Sequence, residues 1–178
     1  MDGSTNVVLT SGPNAGKTTL IRAFQKLGFP VIEEMATEVI REGRYSPIIN
    51  PLEFRKETLA RQKAAELALV SDSRTVIQDR GAYDGQAYCE ATGCPEPTFL
   101  SELESGIYPL AFVLDPVLSW DDDGIRYEDV DFTYKINPIL ARRYRNAGAH
   151  VVHIPLMPVQ DRVDMILSVL REHNNCRR

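Results

Sequence analysis

Cysteine is nearly absent from this chain: Cys89, Cys94 and Cys176 are all that 178 residues contain. The number is odd and no metal-ligand spacing appears, so a disulfide framework and a zinc module are both disfavoured, and reduced thiols are expected. Histidine is as scarce. His150 and His153 flank an apolar stretch that offers no further ligands, which leaves them packing or surface roles. No apolar run is long enough to span a bilayer, and the first residues carry neither a basic stretch nor a small-residue cleavage site. A cytoplasmic protein without membrane contact is the expectation. Positive charge is also in deficit: 20 Lys and Arg stand against 25 Asp and Glu, for a net charge of -5. That argues against a nucleic-acid backbone as partner, because such binders need clustered cations. A nucleotide is a different case, since one lysine and a few arginines can hold a triphosphate on an acidic protein.

What the chain does have is an ordinary globular composition, 43% hydrophobic and 25% charged, and a length that suits one domain over residues 1–178. Its organising stretch is Ser11-Gly12-Pro13-Asn14-Ala15-Gly16-Lys17-Thr18-Thr19, between the apolar run Val7-Val8-Leu9 and a helical pattern through Leu20, Ile21, Phe24 and Leu27. A strand feeding a glycine-bearing turn that opens a helix collects backbone N–H groups and the positive helix end at one point. That point suits a polyphosphate. Gly12, Pro13, Asn14, Ala15, Gly16, Lys17, Thr18 and Thr19 are therefore read as the nucleotide-binding loop, with Lys17 reaching the β- and γ-phosphates and the Thr18 hydroxyl as a ligand of Mg²⁺. The usual spacing places glycine at both ends of such a loop. Ser11 takes the first place here, with Gly12 beside it to supply backbone freedom.

Along the chain, helices are expected over roughly residues 17–27, Met35 to Arg41, Asn50 or Pro51 to about Val70, Ala82 to Glu90, Phe99 to Glu104, Asp131 to Ala147 and from Pro158 onward. In the third of these Leu52, Leu59, Ala60, Ala64, Leu67 and Ala68 should face the core. Pro138 either kinks the sixth or marks its start. Short strands are expected at Val7–Leu9, Pro30–Ile32, Thr75–Ile77, Leu110–Leu114 and Val151–Ile154. Their alternation with helices implies an α/β fold: a single P-loop NTPase domain with a five-stranded parallel sheet and helices on both faces. Residues 117–130 have no period and are rich in acid, so a long loop is expected there, as a lid or as a solvated surface.

Carboxylates follow three of the strands: Glu33 or Glu34, Asp79, and Asp115. The carboxyl ends of strands in a parallel sheet line one edge, where the phosphate loop also lies, so these acids should share a cleft. Phosphoryl transfer needs a metal, cations on the phosphates and a carboxylate that orients or deprotonates the acceptor. The plain alternative is that these acids cap the helices that follow them.

The ordered set of the phosphate loop, Glu34 to Ile40, Asp79-Arg80-Gly81 with Asp84 and Tyr88, Trp120 to Arg126, and Pro158 to Leu170 resembles a family covering nearly the whole chain. It is that of small P-loop ATPases of nucleoside-kinase-like fold which include the ribosylnicotinamide kinase part of the bacterial NAD-biosynthesis regulator. The resemblance implies ATP with Mg²⁺, Asp79 near metal and acceptor, Glu34 at the acceptor, and Arg126 in a lid over the phosphates. The catalytic candidates are thus Lys17, Glu34, Asp79 and Arg126, and the metal ligands Thr18 and Asp79. Two places depart from the family: Thr37 stands where members often carry arginine, and Arg80 replaces a different residue. Arg41 or Arg80 is left to take that arginine's part, or the acceptor differs.

No Asn-Lys-x-Asp stretch for guanine in a switch GTPase is present, nor the signature segment of a transporter ATPase. Two readings remain. One is a kinase that moves the γ-phosphoryl of ATP or GTP to a small hydroxyl acceptor such as a nucleoside or riboside; the other is a nucleotide-binding regulatory module with slow hydrolysis and a protein partner. Arg142, Arg143 and Arg145 read as a helix face. Tyr83, Tyr88 and Phe54 either pack in the core or stack an acceptor.

Overall fold

The computed structural model describes residues 5–117 and 127–175, with 127–130 as backbone only. Five strands, β1 (Thr5–Thr10), β2 (Val31–Ile32), β3 (Thr75–Asp79), β4 (Leu110–Leu114) and β5 (His150–Ile154), form one parallel sheet in the order β2-β3-β1-β4-β5. Seven helices accompany them: α1 (Lys17–Lys26), α2 (Met35–Glu42), α3 (Pro51–Ala68), α4 (Asp84–Thr92), α5 (Thr98–Ser101), α6 (Tyr127–Asn146) and α7 (Val159–Asn175).

Successive side chains of a strand point to opposite faces, and β1 shows what that achieves. Val7 and Leu9 enter one core with Leu20, Ile21 and Phe24 of α1 and Val163, Ile166 and Leu170 of α7. Val8 enters the other, with Ala87 of α4, Tyr108, and Ile136, Leu140 and Tyr144 of α6. Both faces of the sheet are thus covered, as continuous apolar runs in a parallel sheet require. In register, Leu9 of β1 lies opposite both Asp79 of β3 and Phe112 of β4. The carboxyl end of β1 therefore sits at the point where the strand order turns to either side, the position at which such sheets open a crevice.

Two expectations need correction. Helix α3 does not present Leu52, Ala60, Ala64, Leu67 and Ala68 inward: all five are exposed, Leu67 at 71%. Its inner face is Phe54, Thr58, Leu59, Gln62 and Glu66, because it walls a cavity and joins a polar network. Gln62 donates to Gln78 Oε1 of β3 at 2.8 Å and to Glu66 Oε1 at 2.9 Å. Residues 127–130 belong to the first turn of α6 and not to a loop, and Pro138 stands inside that helix. Residues 118–126, including Arg126, lie outside the described residues. No helix among the described residues is long and apolar enough to cross a membrane.

Candidate active site

The chain leaves β1 at Thr10 and turns back on itself before α1 starts at Lys17. Asn14 and Gly16 hold left-handed backbone, φ 55° and φ 76°, conformations that asparagine and glycine tolerate best. No side chain caps α1, so the N–H groups of its first turn have no intrahelical acceptor and face the loop. Lys17 is buried at 6% exposure, and its Nζ donates to the carbonyls of Gly12 at 2.8 Å and Ser11 at 3.4 Å. Burial lowers its pKa to about 8, helped by Arg80 and opposed by Asp79, Glu34 and Asp84. Thr18 and Thr19 are exposed in the first turn.

Helix α6 clasps this loop from 120 or more residues away. Asn137 Oδ1 accepts from the Gly12 N–H at 3.0 Å and the Ser11 hydroxyl at 3.1 Å, while its Nδ2 donates to the Leu114 carbonyl at 2.8 Å. Thr133 Oγ1 donates to the Pro13 carbonyl at 2.8 Å. A Cβ on Gly12 would lie 2.4 Å from Thr133 Oγ1 and 2.6 Å from Thr133 Cα. Glycine is thus required at 12 by the approach of α6, and serine is suited to 11 because its hydroxyl finds Asn137. From the other side α7 reaches in: Arg162 Nη1 donates to the Ala15 carbonyl at 2.8 Å.

Beside the loop lies an acid cluster carried by β3 and the two helix starts that flank it. Asp79 ends β3 and is buried at 2% exposure, and its Oδ1 has no hydrogen-bond partner. Burial pushes its pKa up to about 6; Lys17 and Arg80 pull it down, and Glu34 and Asp84 push it further up. Glu34 precedes α2 and accepts from Arg80 Nε at 2.5 Å and Thr37 Oγ1 at 2.9 Å. Burial opposes its ionisation, but the charge and hydrogen bond of Arg80 outweigh this and hold the carboxyl below its ordinary value. Glu33 is exposed, so of the two acids after β2 only Glu34 joins the cluster. Asp115, at the end of β4, does not join it; its charge acts on Arg162 instead.

Arg80 connects the parts. Its backbone is left-handed at φ 68°, rare for a residue with a Cβ. Its Nη1 donates to the Ser11 carbonyl at 2.9 Å and to Asp84 Oδ1 at 3.2 Å, and its guanidinium lies 5.0 Å from the Tyr88 ring centre. Arg80 thus meets Glu34 where the resembling family was expected to use an arginine in place of Thr37. Asp84 is fully engaged, accepting also from Thr10 Oγ1 at 2.7 Å, the Gly81 N–H at 3.2 Å and Tyr144 Oη at 2.5 Å. It is a structural hub.

On the far side of Glu34 from the phosphate loop opens a cavity of about 490 Å³ between α2, α3 and α4, walled by Met35, Ile40, Phe54, Leu59, Tyr88 and Leu100. Its charged lining is Glu34, Asp84, Arg55 and Arg80. Tyr88 and Phe54 therefore face this cavity, whereas Tyr83 packs edge-on against Tyr108 and Tyr144 in the core. Arg142 and Arg143 pair with Glu90 at the surface, away from this cluster. Among the described residues no group of three His, Cys, Asp or Glu could hold a metal without other ligands. The orphaned Asp79 Oδ1 and the open Thr18 hydroxyl fit a cation that takes its remaining ligands from phosphate and water.

A family profile described as an AAA domain matches residues 6–162. The chain belongs to that AAA domain family. No curated protein matches it. Among solved structures it is similar to a thymidylate kinase from Candida albicans, at 13% identity and a TM-score of 0.64, covering 97% of this chain and 93% of that one. A thymidylate kinase from Ehrlichia chaffeensis is similar at 13% identity and 0.67, over 95% of this chain and 99% of the other. NadR protein in complex with NR is similar at 19% and 0.67, over 95% of this AAA domain chain but 51% of the NadR chain. At these identities the likeness establishes the fold alone, that of the P-loop nucleotide kinases.

Asn137, Thr133 and Arg162 escape a reading of the sequence. Each meets the loop through a contact more than a hundred positions distant, and no local spacing marks any of them.

Proposed function

We propose that this AAA domain protein is a phosphotransferase that moves the γ-phosphoryl group of ATP or GTP to a hydroxyl of a small acceptor, such as a nucleoside or riboside. The observation that carries this reading is the place of Glu34. Its carboxylate stands between the phosphate loop with Lys17 and Asp79 on one side and the apolar cavity on the other. Held ionised by Arg80, Glu34 orients the acceptor hydroxyl and takes its proton as the oxygen bonds to phosphorus and the bridging bond to the β-phosphate breaks. Lys17 carries charge to the β- and γ-oxygens, and the backbone N–H groups of Ala15 to Thr19 hold the phosphates. Thr18 and Asp79 would hold Mg²⁺, which would supply neutralisation of the charge that develops on the phosphates.

The acceptor cavity favours a neutral hydroxyl compound over a phosphomonoester. Arg80 is neutralised by Glu34 and Asp84, and Arg55 commits Nη1 to the Pro51 carbonyl. A dianion there would face the carboxylates of Glu34 and Asp84, with Arg80 already paired to both and Arg55 as the further cation in the lining. A second reading, a regulatory module with slow hydrolysis, draws on Ile48 in the cavity lining and its neighbour Ile49, which stand 87% and 83% exposed. The deciding assay offers nucleosides, ribosides and nucleoside monophosphates with ATP or GTP and Mg²⁺, scored for phosphorylated product. Product from a neutral acceptor supports the kinase; hydrolysis alone, with nucleotide-dependent capture of a partner, supports the module.

A further inference from the structure

Helix α4 ends at a left-handed glycine, Gly93 with φ 70°. Its last carbonyls are met by the chain that follows: the Gly93 N–H donates to the Glu90 carbonyl at 3.2 Å, and the Cys94 N–H reaches back to the Cys89 carbonyl at 2.9 Å. This pair of bonds folds the residue after the glycine onto the last turn and brings its side chain to that of the residue five positions earlier. The contact so made is commonly an apolar one. Here both members are cysteine. The bond also bounds their separation. A Cα lies about 2.4 Å from its own carbonyl oxygen and about 1.5 Å from its own nitrogen, so a 2.9 Å bond keeps the Cα atoms of Cys89 and Cys94 within about 6.8 Å of each other. Disulfides span Cα separations of about 4.4–6.8 Å.

The two thiols are unequal. Both are free; Cys89 is buried at 1% exposure, while Cys94 is exposed and lines the cavity between α2, α3 and α4 together with Thr92 and Arg55. A hydrogen bond with Thr92 and the charge of Arg55 hold the Cys94 thiol below its ordinary pKa. Burial raises that of Cys89, with Arg55 pulling it down and Glu96 and Cys94 pushing it further up. One guanidinium thus acts on both sulfurs and each thiol stands in the other's field, as the backbone bonds require. The thiolate is the nucleophile in disulfide exchange. Cys94 is therefore the member that attacks first, and Cys89 the member that resolves.

We infer that Cys89 and Cys94 form a redox pair in the wall of the cavity between α2, α3 and α4, oxidised by small disulfides of the glutathione class. The Cys94 thiolate attacks one sulfur of the small disulfide, whose S–S bond breaks; a mixed disulfide forms and one small thiolate leaves. Cys89 then gives up its proton and attacks Cys94 Sγ, which closes the internal disulfide and expels the second small thiolate. Two electrons have passed from the pair to the small disulfide, and the two small thiolates take up the protons that the pair has lost. Oxidation replaces an ionisable sulfur beside Arg55 with a neutral one, and an excess of small thiol reverses it. No step uses a nucleotide, so the inference stands apart from the phosphotransferase reading.

The test uses the full chain with Cys176→Ser, so that the third thiol takes no part, incubated with oxidised glutathione and read by mass spectrometry. The protein should lose the mass of two hydrogens without accumulating a glutathione adduct. Cleavage at Glu90, which lies between the two cysteines, should leave the halves joined until dithiothreitol is added. Cys89→Ser in the same background should stop at the mixed disulfide on Cys94. Cys94→Ser should react on the order of tenfold more slowly or less, because only the buried thiol is left. A persistent adduct on Cys94 with Cys89 present, or thiols that stay reduced under conditions that oxidise free glutathione-reactive peptides, would overturn the pair even if a serine variant fails to fold. Cys94→Ser reacting as fast as the chain with both thiols would overturn the assignment of Cys94 as the attacking member.

Discussion

Replacing Asp79 by asparagine should make the nucleotide-free protein more stable while removing the Mg²⁺-dependent turnover proposed above. The carboxylate is 2% exposed, and its pKa rises from an ordinary 3.8 to about 6. A difference of that size between folded and unfolded chain is worth about 3 kcal/mol at neutral pH, and the sign is unfavourable. Below about pH 4 the group is protonated in both states and costs nothing. Between about 4 and 6 the unfolded chain releases its proton first, so stability falls as pH rises; above about 6 the whole cost is present. Asparagine has no charge to desolvate, but its loss of the anion leaves Lys17 with one fewer attractive partner, which takes back part of the gain. A net stabilisation of about 1–3 kcal/mol at pH 7.5 is expected, or a Tm higher by about 3–10 °C for a chain of this length. Thermal melts of both proteins from pH 4 to pH 8, without nucleotide, would measure it. An Asp79→Asn variant no more stable than the parent at pH 7.5, or a difference that does not shrink toward pH 4, would refute the reasoning. Activity held at a functional site at the expense of stability is the general pattern behind it.

Other substitutions probe the remaining parts. Lys17→Ala should abolish most of the rise in Tm that a triphosphate with Mg²⁺ produces in the parent, read by scanning fluorimetry; an undiminished rise would remove the phosphate-loop assignment. Glu34→Gln should slow transfer by roughly two to four orders of magnitude while nucleotide affinity changes little, if the carboxylate acts on the acceptor as proposed; equal losses in binding and transfer would place it on the nucleotide instead. Gly12→Ala drives a Cβ into Thr133 backbone and should cost about 1–3 kcal/mol in a denaturant melt, with weakened nucleotide binding. Asn137→Ala leaves the buried Ser11 hydroxyl, Gly12 N–H and Leu114 carbonyl without their common partner, and should cost about 2 kcal/mol or more; a neutral result would mean water replaces it.

The parts of the fold legible in the sequence are those written in local pattern. Val7-Val8-Leu9 followed by the phosphate loop specifies β1, the turn and α1 together, because strand, glycine positions and helix start are all short-range requirements. The acids at strand ends are legible as a group, yet only the fold separates them: Glu34 faces Arg80, Glu33 faces solvent, and Asp115 lies beyond β1 on the opposite arm of the sheet. Helix α3 departs from expectation because its apolar residues do not all point inward. Where a helix walls a cavity and meets Gln78, polar Gln62 and Glu66 take the inner positions and Leu67 is left outside. The Asn137 clasp and the bond from Arg162 to the Ala15 carbonyl leave no local trace, since each is defined only once distant helices have docked.

That docking orders events in time. A chain emerging from the ribosome at about 5–20 residues per second completes β1 and the loop long before α6 exists. Asn137 lies 125 positions after Gly12, and Arg162 147 after Ala15. Until those helices arrive, the Gly12 N–H, the Pro13 and Ala15 carbonyls and the Ser11 hydroxyl must be met by water, and the loop has no fixed shape. Nascent chains stalled before residue 137 should therefore fail to retain nucleotide even with β1, α1 and β3 fully outside, and competence should appear late, as the last third of the chain closes over the first.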